Sequence, residues 1–275
     1  AQLLAMPNPD GRSNADVVRP WVNGLDVTRR PRGMWIIDFG TDMPLDQAAL
    51  YEGPFEYVRE HVKPQRDESR STRSEWWLHE RPRVDMRSAL SGLSRFIGTP
   101  NVTKHRLFVW MPEGTIPDHQ LIVFARDDDY FFGVLHSRPH EIWARGLGTQ
   151  LREVESGFRY TPTSTFETFP FPADPPKDAE VAEAARNLNE LRVGWQDPPG
   201  LVPGELAKRT LTNLYNSPPT WLTHAHEQLD RAVHAAYGWP YPFADDEVLT
   251  RLLEMNLATG GQDAALTGTA AERGV

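Results

Sequence analysis

The sequence predicts an α+β fold: a mixed-sheet portion over residues 1–172, then a small all-α portion over 173–259. Two observations predict it. Up to residue 172, short apolar or aromatic runs bounded by turn residues recur, the mark of strands. Beyond Phe171-Pro172 and Pro175-Pro176, apolar residues recur at helical spacing instead. The Gly/Ala/Thr-rich residues 260–275 show no apolar period and read as a disordered tail.

Residues 1–34, rich in Pro, Gly, Asn and Arg, read as turns and short extended pieces. Trp35-Ile36-Ile37-Asp38-Phe39 predicts a buried strand. Asp42 caps a short predicted helix over 44–52. A second helix over 55–62 ends at Lys63-Pro64, because the residue before proline disfavours the helical region. Residues 65–75 are polar and read as a loop. Three strands follow, Leu107–Met111, Leu121–Ala125 and Phe131–Leu135, with turns at Pro112-Glu113-Gly114 and Asp127-Asp128-Asp129. A helix over 137–145 ends near Gly146 and places Pro139 in its first turn. Phe166–Phe169 reads as a last short strand. Ala179, Ala182, Ala185, Leu188 and Leu191 mark the first helix of the all-α portion. Further helices are predicted over 204–215, over 220–237 with Gly238 at its C-terminal cap, and over 245–257 from Asp245 or Asp246.

The 275 residues are 39% hydrophobic and 24% charged, a globular rather than disordered composition. Cysteine is absent, which excludes disulfides, a thiolate zinc site and a Cys nucleophile and fits a reducing cytoplasm. No apolar run approaches the roughly 18 residues of a membrane span, and no signal-peptide pattern opens the chain. The chain begins with Ala1 rather than Met and reads as a fragment of something longer. Net charge is −9, which argues against a polyanionic partner, but it is uneven. Residues 173–275 hold 8 Lys+Arg against 15 Asp+Glu, whereas 59–106 hold 11 against 6. That basic stretch is either a solvated face or a phosphate-binding stripe.

Catalytic chemistry is hard to place. Ile36-Ile37-Asp38-Phe39-Gly40-Thr41-Asp42 has the strand-plus-glycine opening of a cofactor loop, but Asp42 stands where a second glycine is wanted. Asn8-Pro9-Asp10 is not the Pro-Pro-aromatic turn that holds a target amine. Asn216-Ser217-Pro218-Pro219-Thr220 lacks its aromatic and reads as a helix start. No acidic residue precedes a Glu/Asp-x-Lys triplet as a nuclease core requires, and no Gly-x-Ser-x-Gly elbow exists. His136 and His140, four apart with Glu141 adjacent, share a helix face on which a metal could sit, but no third ligand is evident. Asp127-Asp128-Asp129 lacks the alternation of a calcium loop. No catalytic or metal residue is assigned. Gln150, Arg152, Glu153, Glu155 and Arg159 place guanine-, adenine- and cytosine-reading side chains within ten residues. The same five would also suit an ordinary exposed polar loop.

Ordered motifs over about 14–172 carry a resemblance. They run from Asn14-Ala15-Asp16-Val17-Val18-Arg19-Pro20-Trp21 and Asn23-Gly24-Leu25-Asp26 through Trp35–Gly40, Val62-Lys63-Pro64 and Trp76-Trp77-Leu78-His79. Pro100, Lys104-His105-Arg106, Phe108-Val109-Trp110 and Ala125-Arg126-Asp127-Asp128 follow. Phe132–Trp143, Phe158-Arg159-Tyr160-Thr161-Pro162 and Phe166–Pro172 complete the series. This order resembles the target-recognition domains of MmeI-like (type IIL) adenine-specific DNA methyltransferases of restriction-modification. Leu229-Asp230-Arg231-Ala232-Val233 and Ala236-Tyr237-Gly238-Trp239 resemble their helical C-terminal region.

The resemblance implies sequence-specific recognition of double-stranded DNA in the cytoplasm, in the service of N6-adenine methylation. The catalytic domain, a partner within the same parent chain, and its S-adenosylmethionine lie outside this sequence; no cofactor is expected within it. It also implies that the charged segment between Gly148-Thr149 and Tyr160-Thr161-Pro162 reads bases, through Gln150, Arg152, Glu153, Glu155 and Arg159. Lys63, Arg66, Arg81, Arg83, Lys104, Arg106 and Arg138 are the phosphate candidates. Two other readings stand beside it: a structural or protein-interaction scaffold of the methyltransferase, and a metal hydrolase built on His136, His140 and Glu141.

Overall fold

The computed structural model describes residues 2–68, 74–150, 157–173 and 178–258. Its elements begin with β1 (Val18–Val22), α1 (Gly24–Thr28), β2 (Trp35–Ile37), α2 (Leu45–Ala48), α3 (Glu52–His61), α4 (Lys63–Glu68) and α5 (Val84–Leu90). They continue with β3 (Arg95–Pro100), β4 (Val102–Thr103), β5 (Val109–Pro112), β6 (Ile116–Pro117), β7 (Leu121–Phe124), α6 (Asp129–His136) and α7 (Arg138–Leu147). Last come β8 (Thr149–Gln150), β9 (Phe158–Arg159), α8 (Asp178–Gln196), α9 (Pro203–Leu206), α10 (Leu211–Asn216), α11 (Thr220–Ala236) and α12 (Asp245–Ala258). The fold is α+β.

These elements form two compact units that do not follow chain order. The first comprises the described parts of Ala1–Val22, Arg32–Ser91 and Gly114–Pro117. Its sheet is mixed: β1 pairs antiparallel with β2 (Val18↔Ile37) and parallel with β6 (Trp21↔Ile116). Val17, Val18 and Phe39 pack against Ala48, Tyr51, Phe55, Val58 and Leu78 to form its core. The expected buried strand at 35–39 is only partly so, since Trp35 is exposed and the strand stops at Ile37. The expected helix over 44–52 is the single turn α2, and α3 starts three residues ahead of the expected 55. Pro64 does not end helical structure. It lies in the first turn of α4, where its missing N–H leaves no bond unmade.

The second unit comprises the described parts of Asn23–Pro31, Gly92–Glu113 and Asp118–Val275. Its main sheet has β3 between β5 and β7, both antiparallel. The central strand β3 falls outside the expected strands. Gly98 and Pro100 disguise it, and at Gly98 a Cβ would meet the end of the Met111 side chain at 2.5 Å, so that side chain would have to shift. The expected strand Phe131–Leu135 is the helix α6. Asp128 caps it by accepting the Phe131 N–H at 2.8 Å. Every residue from Phe131 to His136 is buried, so the run has no polar face to betray its period. One side meets the sheet, with Trp110 stacked on Phe132 at 4.7 Å, and Gly133 lies against Val181, Ala185 and Leu229 of α8 and α11.

Ser137 ends α6 and caps α7, with Pro139 in the first turn as expected. The expected strand at 166–169 does not form: the π-helical turn Pro162–Phe166 ends there and a turn follows. The expected helix over 204–215 divides into α9 and α10 because Thr210 caps the second. Helix α8 contains all five predicted apolar positions from Ala179 to Leu191, α11 and α12 match their predicted spans closely, and Gly238 adopts the left-handed φ of 72° expected after α11. Residues 260–275 lie outside the described residues.

Candidate nucleic-acid interface

Helix α7 runs through Gly148 directly into β8. Strand β8 pairs with β9 (Thr149↔Arg159, Gln150↔Phe158), and β9 pairs with β4 on its other side (Val102↔Arg159, Thr103↔Phe158). The candidate reading segment therefore departs from and returns to adjacent paired strands. Arg159 is exposed on β9 and Gln150 belongs to β8, while Arg152, Glu153 and Glu155 lie outside the described residues. Gly157, at the point of return, has a left-handed φ of 84°. A Cβ there would meet the Thr103 carbonyl at 2.4 Å and the Lys104 nitrogen at 2.6 Å, so only glycine lets the chain come so close to β4.

A buried polar cluster supports these strands. The His140 Nδ1 contacts the Leu135 carbonyl at 2.8 Å and its Nε2 the Tyr160 hydroxyl at 2.9 Å. Burial drives His140 down to about 4 and the Tyr160 phenol upward, so both are neutral near pH 7. The Arg106 guanidinium lies 5.0 Å from the Tyr160 ring and donates to the Pro100 carbonyl at 2.9 Å. Tyr160 was legible only as part of a motif; its use as the post behind β9 needs the fold.

The phosphate candidates divide between the two units. In the first, the Lys63 ammonium lies 5.2 Å from the Trp76 ring, and Arg66 donates to the Leu78 carbonyl at 3.2 Å. Arg81 is exposed, and Arg83 precedes α5 in the left-handed conformation, φ 55°. In the second, exposed Lys104 donates to the Asn216 side chain at 2.9 Å. Arg138 is bound to Glu141 at 3.0 Å and to Asp245, both of which hold its charge firmly. Arg106 is 7% exposed and faces protein rather than solvent. The basic stretch 59–106 is thus divided between the two units, and within it Arg106 is buried.

The residues weighed for other chemistry have structural partners. His136 contacts the Phe132 carbonyl through Nδ1 at 3.1 Å and Arg192 through Nε2 at 2.6 Å. Glu141 pairs with Arg138 and Arg145. His136, His140 and Glu141 therefore point their polar atoms at three different sets of neighbours, and among the described residues no group of three or more metal-binding side chains assembles. At the exit of β2, Asp38 binds Arg87 at 2.7 and 3.0 Å, a partly buried ion pair where a cofactor cradle would need open backbone. Asp129 is held by Arg95 and Arg186, and Pro219 stands at the start of α11. A cavity of about 480 Å³ in the second unit is lined by Arg106, His136, Arg138, Glu141, Tyr215 and Asp230.

A short strand pair continues from a capped helix, with exposed Arg159 on the central strand and a buried polar cluster behind it. Residues 56–173 match the family model described as MmeI, target recognition domain. The chain is 29% identical over 167 residues to DNA methyltransferase A of Bacillus subtilis (strain 168), covering 58% of this chain and 17% of that protein. It shares the fold of the type IIL restriction-modification enzyme MmeI, solved in complex with DNA. The TM-score is 0.62 at 19% identity, over 90% of this chain and 31% of that one. The chain thus spans less than a third of either relative. Among the described residues no helix is long and apolar enough to cross a membrane.

Proposed function

We propose that this chain is the specificity portion of an N6-adenine DNA methyltransferase and binds double-stranded DNA in the cytoplasm. The observation that carries the reading is the agreement of the matched stretch, 56–173, with the paired strands that present residues 150–159. Gln150, Arg152, Glu153, Glu155 and Arg159 are the proposed base readers. Lys63, Arg66, Arg81, Arg83, Lys104 and Arg138 are the proposed phosphate contacts, which set register without reading sequence. Arg138 must then exchange its carboxylate partners for phosphate. Arg106 drops from that group to a supporting role, because its guanidinium is buried against Tyr160. Residues 1–172 are the recognition portion, and the helices within 173–259 buttress α6 and α7. Methyl transfer and S-adenosylmethionine belong to a catalytic domain of the parent protein.

A titration of the chain on duplex DNA across salt concentrations tests the reading. Binding should weaken steeply with salt, with a slope of about −0.9 per phosphate neutralised, and Lys104→Ala should flatten it by about 1. Salt-independent affinity would remove the phosphate contacts from the proposal.

A further inference from the structure

We propose that Asn216, at the end of α10, joins Lys104 and His105 in holding a phosphate of the DNA backbone, so that the helical portion 173–259 touches DNA itself as well as buttressing α6 and α7. This rests on the DNA-binding reading above and extends it to a residue outside 56–173, the stretch the family model matches.

Residues distant in the chain meet at this corner of the second unit. The exposed Asn216 side chain accepts from the Lys104 ammonium at 2.9 Å, and the same oxygen contacts His105 Nε2 at 2.9 Å. An ammonium only donates, so the amide oxygen faces it, and His105 Nε2 must carry a hydrogen. The amide NH2 of Asn216 then points elsewhere, and among the described residues it donates to none. The corner is held in place. Tyr215, next to Asn216, bonds His226 of α11 at 2.9 Å, and its ring lies 5.9 Å from that of His105. Pro218 and Pro219, with their fixed φ, follow directly.

This corner shares a face with a candidate base reader. Val102 of β4 is in register with Arg159 of β9, and both are exposed. Partners across an antiparallel ladder project to the same side. Lys104 lies two residues beyond Val102 and is exposed as well, with Thr103 buried between them. A phosphate held by Lys104 and Asn216 would therefore set the register of DNA over Arg159.

The partner chosen for Lys104 points to an anion. Arg138 is tied to Glu141 and Asp245, which offset its charge. Lys104 is tied to a neutral amide instead, which orients the ammonium and leaves its charge whole. Residues 86–112 and 206–226, which supply the corner, contain no Asp or Glu, in a chain that holds 38. Glu141, Glu227 and Asp230 line the cavity that His105 also lines, but among the described residues none of them bonds Lys104, His105 or Asn216. A backbone phosphate supplies negative oxygens for the remaining ammonium hydrogens and the amide NH2 together.

Asn216→Asp separates a DNA contact from a merely structural one. A carboxylate at 216 would pair with Lys104, so the variant should melt close to the parent. It should nevertheless bind duplex DNA of mixed sequence about tenfold more weakly, with a salt slope smaller by about 1. As a second variant, Asn216→Cys gives the chain its only cysteine. Duplex DNA carrying thiol tethers on its backbone phosphates should trap that cysteine as a disulfide, and this result decides should Asn216→Asp lower the melting temperature. Suppose the parent binds duplex DNA with the expected salt dependence. If Asn216→Asp then keeps the parent's affinity and slope, or the cysteine is trapped by no tethered DNA, this inference fails and the DNA reading stands. If the parent shows no salt-dependent binding to duplex DNA, both fail together.

Discussion

Lys104 and Arg106 are cations two residues apart, and their surroundings separate them. Lys104 is exposed, so Lys104→Ala should leave the melting temperature nearly unchanged, within about 0.5 kcal/mol. Arg106 packs against Tyr160 and bonds the Pro100 carbonyl, so Arg106→Ala should remove about 2 kcal/mol or more. Thermal melts of the two variants check this, and equal losses would contradict the assigned burial. His140 yields a pH prediction. Its folded value of about 4 lies below the ordinary 6.5, so between those two values the unfolded chain binds more protons. Stability is then complete above about pH 6.5 and falls as pH drops toward 4, by about 3 kcal/mol from this residue. His136, also driven down by burial and by Arg192, acts in the same direction. Urea unfolding at pH 7 and pH 5 should show the loss, and a midpoint that rises on acidification would contradict it. The sequence showed these side chains as polar and charged but could not show which were buried, because burial is decided by residues distant in the chain.

Among elements, legibility followed periodicity. Helix α11 puts Leu222, Ala225, Leu229 and Val233 on one buried face and was read at nearly its true length. Helix α6 was read as a strand because it is apolar on all sides, and a short run of that kind carries no period. Its signals were Asp128, three residues ahead of Phe131, and Ser137 at its end, which are capping signs rather than turn signs. Strand β3 was hidden by Gly98 and Pro100, residues that strands seldom hold. In the candidate interface, the order of motifs located the segment 150–159, but the strand pair that frames it is two residues long on each side and too short to predict. Gly157 is the residue of that frame that stands out in the sequence, a glycine within a polar run. Gly157→Ala must place a Cβ inside backbone of Thr103 and Lys104 from a left-handed φ, so β9 must move away from β4. The variant should lose more than about 1 kcal/mol of stability. Its amide protons at 158–160 should exchange faster, and unchanged exchange there would mean the close approach does not hold the frame.

For the whole molecule, net charge is a poor guide to a polyanion partner. The chain carries −9, yet much of that excess belongs to residues 173–275. Those acids also serve internal cations: Asp197 binds Arg30 and Asp245 binds Arg138. The phosphate candidates belong to both compact units, so affinity should be spread over many weak contacts. The base-reading candidates are instead confined to one segment of the second unit. That separation predicts two kinds of mutant in the proposed parent methyltransferase. Lys104→Ala should reduce modification at all sites about equally, because a phosphate contact is blind to sequence. Arg152→Ala or Glu153→Ala should change the base accepted at one position, with about 1–3 kcal/mol of discrimination lost there. Helix α7, fixed by buried Ile142 and Trp143, gives the segment the rigid origin that such discrimination needs. Mapping methylated sites across a host genome distinguishes the two kinds. If the Arg152 and Glu153 variants modify the parent's sequence at reduced frequency, the segment positions DNA without reading it, and base recognition must be sought on other loops.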